Sequence, residues 1–73
     1  MMKAKVVRAD WDSESAVWVA TSDDVPGLVT EAETIEALDA KLMVLVPELL
    51  KENEATLDGP VTVELVARRI SLI

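Results

Sequence analysis

The sequence predicts an α+β domain of β-β-β-α-β order, with one helix packed on one face of a mixed four-stranded sheet. Three runs rich in β-branched residues come first, separated by a polar turn and a Pro-Gly turn. An apolar stripe at helical spacing follows over residues 35–53, and then a cleanly alternating segment over 61–69. All 73 residues are read as one domain, because a chain of this length has room for one small core.

The first strand is expected at 3–11 (KAKVVRADW), where β-formers alternate with polar residues. Asp12-Ser13-Glu14-Ser15 is a polar turn, and 16–21 (AVWVAT) is the second strand, so the two form an antiparallel hairpin. If Trp11 faces Ala16 across this turn, Ala9 faces Trp18 and Val7 faces Ala20, a large residue beside a small one. Pro26 fixes φ and Gly27 supplies φ > 0, which predicts a type II turn before a short third strand at 28–32. An Asx-type backbone bond from Asp23 or Asp24 is expected on the way into it.

Thr34 is the expected N-cap of the helix, with Thr30 and Glu33 a rival capping box. Thr34 is preferred because Val29 and Thr30 are β-branched and favour strand. Ile35, Leu38, Leu42, Leu45, Val46 and Leu49 share one helix face, while Lys41, Glu48 and Lys51 lie opposite. Pro47 removes one hydrogen bond to the Met43 carbonyl and predicts a bend without a break, since the apolar face continues through Leu50. Residues 53–60 read as a polar loop around Asp58-Gly59-Pro60. The third strand, helix and last strand form a crossover, so the last strand runs parallel to the first and third. It is placed beside the first, leaving one sheet face uncovered.

Composition excludes several chemistries. With no Cys and no His, a disulfide framework, a thiolate or imidazole zinc site, a Cys nucleophile and a His base are all impossible. Two Gly residues 32 positions apart cannot form a phosphate loop. The acids around the first turn (Asp10, Asp12, Glu14) lack EF-hand spacing and read as a solvated turn. No catalytic residue, cofactor or metal is therefore expected. The longest apolar runs, about five residues, are far short of the roughly 18 needed to span a membrane, and no signal segment follows the N-terminus. A cytoplasmic location is the expectation.

Charge is unevenly placed. Five of the seven basic residues (Lys3, Lys5, Arg8, Arg68, Arg69) lie in the two strands expected to be neighbours, while the fourteen acids fall between Asp10 and Glu64. The basic group could contact nucleic acid, but a net charge of −7 and the lack of an aromatic platform beside it favour charge pairing and edge protection. The acidic remainder suits a basic protein partner. Trp18 is expected in the core, and Trp11, near a strand end, as an interface anchor.

The segments Trp11-Asp12-Ser13-Glu14, Val17-Trp18-Val19-Ala20, Ser22, Asp24-Val25-Pro26-Gly27-Leu28 and Glu31-Ala32, with the Leu-rich helix and last strand behind them, resemble the HicB-type antitoxin domain. The closest likeness is to its short, single-domain, uncharacterised relatives. The resemblance covers about residues 3–69, so 1–73 reads as a single HicB-like domain. It implies a β-β-β-α-β fold related to a partial ribonuclease-H-like or double-stranded-RNA-binding-like arrangement. It further implies a non-catalytic domain that masks a small basic mRNA-cleaving toxin of the HicA type and commonly oligomerises. The C-terminal DNA-binding segment of longer members has no counterpart here, so nucleic acid is not an expected partner of this chain alone.

Together these readings predict an antitoxin-like protein-binding module that meets its partner through Trp11, Asp12, Glu14, Asp23 and Asp24. The alternatives are a nucleic-acid-binding domain using Lys3, Lys5, Arg8, Arg68 and Arg69, or an oligomerisation domain without a toxin. Half the residues are apolar, more than a marginal small core hides, and Ile70, Leu72 and Ile73 add to the surplus. A homodimer through the last strand and this tail is expected.

Overall fold

The computed structural model describes residues 4–52 and 61–73. Its elements are β1 (Lys5–Asp12), β2 (Val17–Thr21), β3 (Val29–Ala32), α1 (Ile35–Glu52) and β4 (Val63–Arg68). The sheet order is β3-β2-β1-β4, with β1 antiparallel to β2, β2 antiparallel to β3, and β4 parallel to β1. This is the β-β-β-α-β mixed sheet that the turn and periodicity signals predict. Lys3 and the loop 53–60 lie outside the described residues.

Local chemistry explains where α1 starts and which face it buries. The Oγ1 of Thr34 accepts the N–H of Ala37 at 3.0 Å, and its carbonyl accepts Leu38 N–H at 3.0 Å, so Thr34 is the N-cap. The helix runs through Pro47 without a break. Leu38, Leu42, Val46 and Leu50 are buried along one face, at the three- and four-residue steps an amphipathic helix requires. They pack on Val7, Ala9, Ala20 and Ala32, and on Val25 and Leu28 from the turn before β3. Small Ala residues on the sheet let the helix approach closely. Leu45, Leu49, Ile35, Trp18, Val63 and Leu65 close the margins of this core.

The turn before β3 is the expected one. Gly27 has φ +84° and the N–H of Leu28 donates to the Val25 carbonyl at 3.1 Å, which closes a type II turn over Pro26-Gly27. The local side-chain bond, however, comes from Ser22 and not from Asp23 or Asp24. Its Oγ accepts the N–H groups of Asp24 (3.0 Å) and Val25 (3.2 Å). A hydroxyl can accept both while donating elsewhere, which an ionised carboxylate cannot do.

The hairpin register also differs from the expectation by two residues. Trp11 lies opposite Trp18, Ala9 opposite Ala20, and Asp12 opposite Val17. The connecting loop is 13–16, in which Asp12 Oδ1 accepts the N–H groups of Glu14 (3.0 Å) and Ser15 (3.3 Å), and Ala16 sits at φ 55°. This carboxylate-capped, left-handed loop has the same four-residue length as the turn that would pair Trp11 with Ala16, but it begins one residue later, which moves the pairing by two. A shift of two keeps every side chain on its expected face but sets Trp against Trp and Ala against Ala.

The uncovered face carries Val6, Val17, Val19, Val29 and Val66 interleaved with Arg8, Asp10, Glu31, Glu64 and Arg68. It is therefore mixed and not wholly polar. Among the described residues no helix is long and apolar enough to cross a membrane.

Candidate interaction surface

The shifted hairpin loop creates the most distinctive surface feature. In an antiparallel ladder, residues alternate between hydrogen-bonded and non-hydrogen-bonded pairs, and side chains approach most closely at the latter. Even-numbered residues of β1 turn their backbone groups toward β2, as Val6 does, so Trp11 and Trp18 form a non-hydrogen-bonded pair. Their ring centroids are 5.4 Å apart at 64°, an edge-to-face contact. The Arg69 guanidinium carbon lies 4.5 Å from the Trp11 ring centroid. Trp18 reaches back to the core while Trp11 is half-buried between Trp18 and Arg69. A shallow concavity of about 280 Å³ lies beside it, lined by Asp10, Trp11, Ser13, Arg68 and Ile70.

Of the predicted partner contacts, Trp11, Asp12 and Glu14 share this end of the hairpin. Asp12 is engaged by its own loop, whereas Glu14 is exposed. Asp23 and Asp24 follow the far end of β2, roughly 15 Å away along the strand. Asp23 pairs with Arg8 at 3.8 Å between exposed side chains, a contact that contributes little. Asp24 Oδ2 accepts the Val6 N–H at 2.8 Å. The five predicted contacts thus form two separate acidic ends.

The basic residues are divided as well. β1 and β4 are neighbours, as charge placement predicts, but the pleat sends Arg8 and Arg68 to the open face. Lys5 shares the pleat of Val7 on the helix side, and Arg69 covers Trp11. Ile70, Leu72 and Ile73 are exposed, Ile70 at 93%. The Lys41 Nζ donates to the Glu31 carbonyl, tying helix to β3.

Among the described residues no polar or charged side chain is buried, and no cluster of three or more carboxylates converges as a metal site. Sequence reasoning did not anticipate the Trp11–Trp18 pair or the Arg69 cover. The pair depends on register, and Arg69 reaches it only through the β1–β4 pairing.

A comparison with curated proteins finds no match. Among solved structures, the chain is similar to hypothetical protein TTHA1013 from the extremely thermophilic bacterium Thermus thermophilus. The TM-score is 0.85 and the identity 55%, over 97% of this chain and 100% of that one. Residues 4–72 match the family model described as "Domain of unknown function (DUF1902)", and the chain belongs to that family.

Proposed function

We propose that this domain is a non-catalytic, cytoplasmic protein-binding module, an antitoxin-like inhibitor of a small basic mRNA-cleaving protein of the HicA type. The observation that carries the reading is the hairpin end. A half-exposed Trp11 is held between Trp18 and Arg69, with exposed Glu14 in the adjoining hairpin loop, on a chain of net charge −7. A rigid aromatic anchor loses little side-chain entropy on binding, and anchors of this kind dominate interface energies. An acidic surface steers toward a cationic RNA-binding cleft and, once seated, excludes RNA from it. The likeness of the motifs to the HicB-type domain supports the same class of partner. The division of the Arg residues between two sheet faces weighs against a nucleic-acid reading, which needs a continuous basic track.

The test pairs the purified chain with a small basic protein of this type encoded beside it and follows cleavage of a synthetic mRNA. Stoichiometric inhibition that is weakened by Trp11→Ala and Glu14→Lys supports the reading. Undiminished cleavage in excess chain, with no complex in sedimentation, overturns it. Salt-dependent RNA binding by the chain alone would replace it with the nucleic-acid alternative.

A further inference from the structure

β4 is an edge strand, with β1 on one side and no strand among the described residues on the other. The N–H of Lys5 donates to the carbonyl of Thr62 at 2.8 Å. Backbone groups alternate sides along a strand, so Thr62, Glu64, Val66 and Arg68 address β1. Val63, Leu65 and Ala67 then turn their N–H and C=O groups outward. Such an edge is a template for another strand.

The side chains of β4 say which strand fits. A second copy, related by a two-fold axis perpendicular to the sheet, is specified by the residue on that axis. An axis at Glu64 sets Glu against Glu, and one at Arg68 sets Arg against Arg; like charges directly opposite are destabilising. An axis at Leu65 sets Glu64 against a Val, and one at Ala67 sets Arg68 against a Val, so neither compensates a charge. An axis at Val66 places Glu64 opposite Arg68 of the partner subunit, and the same pair recurs by symmetry. Leu65 and Ala67 then exchange N–H···O bonds across the axis. The two charge pairs fall at non-hydrogen-bonded positions, where side chains approach most closely.

Among the described residues, no ion pair within the protomer competes for these charges. The ion pair found there is Arg8–Asp23, so Glu64 and Arg68 are both available. β4 with Arg69 is also the locally basic part of an acidic chain, so approach along it meets the least repulsion between two copies of charge −7. The exposed Ile70 would lie opposite Thr62 of the partner subunit, extending the contact into the tail.

We propose that this chain forms a two-fold dimer by antiparallel β4–β4 pairing centred on Val66, joining two four-stranded sheets into one. The inference is independent of the toxin-binding reading. Sedimentation velocity of the intact chain, from low to high micromolar concentration, tests it. A monomer–dimer equilibrium is expected. Glu64→Arg and Arg68→Glu, taken singly, each weaken the dimer about tenfold, and the double reversal restores it to within a few-fold. Ala67→Pro abolishes the dimer while the far-UV circular dichroism of the monomer persists, because an edge strand tolerates Pro where its N–H faces solvent. If that variant proves unfolded, the charge-reversal series decides alone. A monomer at every concentration overturns the proposal, as does a dimer indifferent to the reversals. Single reversals that weaken the dimer without rescue by the double overturn the axis at Val66.

Discussion

The backbone N–H of Val6 donates to Oδ2 of Asp24 at 2.8 Å, while the Val6 carbonyl accepts the Ser22 hydroxyl at 2.6 Å. β2 ends at Thr21, opposite Arg8, so the ladder stops short of Val6. Two side chains therefore replace the strand that is no longer there, and Ser22 also accepts Asp24 and Val25 N–H. Ser22→Ala leaves three backbone groups to water or to nothing. Because the site is largely exposed, the expected cost is modest, about 1 kcal/mol. Asp24→Ala should cost a similar amount, and the double variant less than the sum, because the two residues serve one backbone unit. Urea denaturation of the four proteins checks both statements.

Gly27 occupies φ +84°, and a Cβ built there would meet only Leu49 Cδ2 at an ordinary 3.7 Å. The obstacle to substitution is the backbone and not space. Gly27→Val should destabilise by on the order of 1 kcal/mol or more. Gly27→Asn should lose less, because Asn tolerates the left-handed region. Thermal melts showing Val and Asn equally harmless would remove the type II turn from this account.

Leu42 and Val44 are two residues apart on α1 but face opposite ways. Leu42 is 1% exposed and Val44 is 60% exposed. Leu42→Ala removes methylene packing and opens a cavity in a small core, at a cost of about 3 kcal/mol. In a domain of this size that is a large share of the total stability. Val44→Ser should change stability by less than about 0.5 kcal/mol. Chemical denaturation midpoints separate the two.

Arg69→Ala uncovers the Trp11 ring without touching the core. Exposed cation–π contacts contribute about 0.5–1 kcal/mol, so the melting temperature should fall only slightly. Tryptophan emission should shift to the red, and Trp11→Phe in the same background should abolish that shift. A red shift that survives Trp11→Phe would assign the change to Trp18 and place Arg69 elsewhere in solution.

Much of this architecture was legible because it rests on local chemistry. Thr34 ahead of an apolar stripe, Pro-Gly before a β-branched run, and period-two alternation over the last strand each announce one element, and each is found. The position of β4 beside β1 follows from connection rules acting on that order.

What the tertiary structure alone decided is how those elements are set against one another. Ala16 adopts a left-handed conformation that its side chain does not advertise, and the resulting loop moves the hairpin register by two residues. That shift, and no residue type by itself, brings Trp11 against Trp18. Arg69 joins them only because β4 runs parallel beside β1, and the same pairing assigns Glu64 and Arg68 to the open face. A residue's identity sets its conformational preferences and its side-chain chemistry. Which distant residue it meets depends on register and strand order, which are settled by burial and hydrogen bonding over the whole sheet.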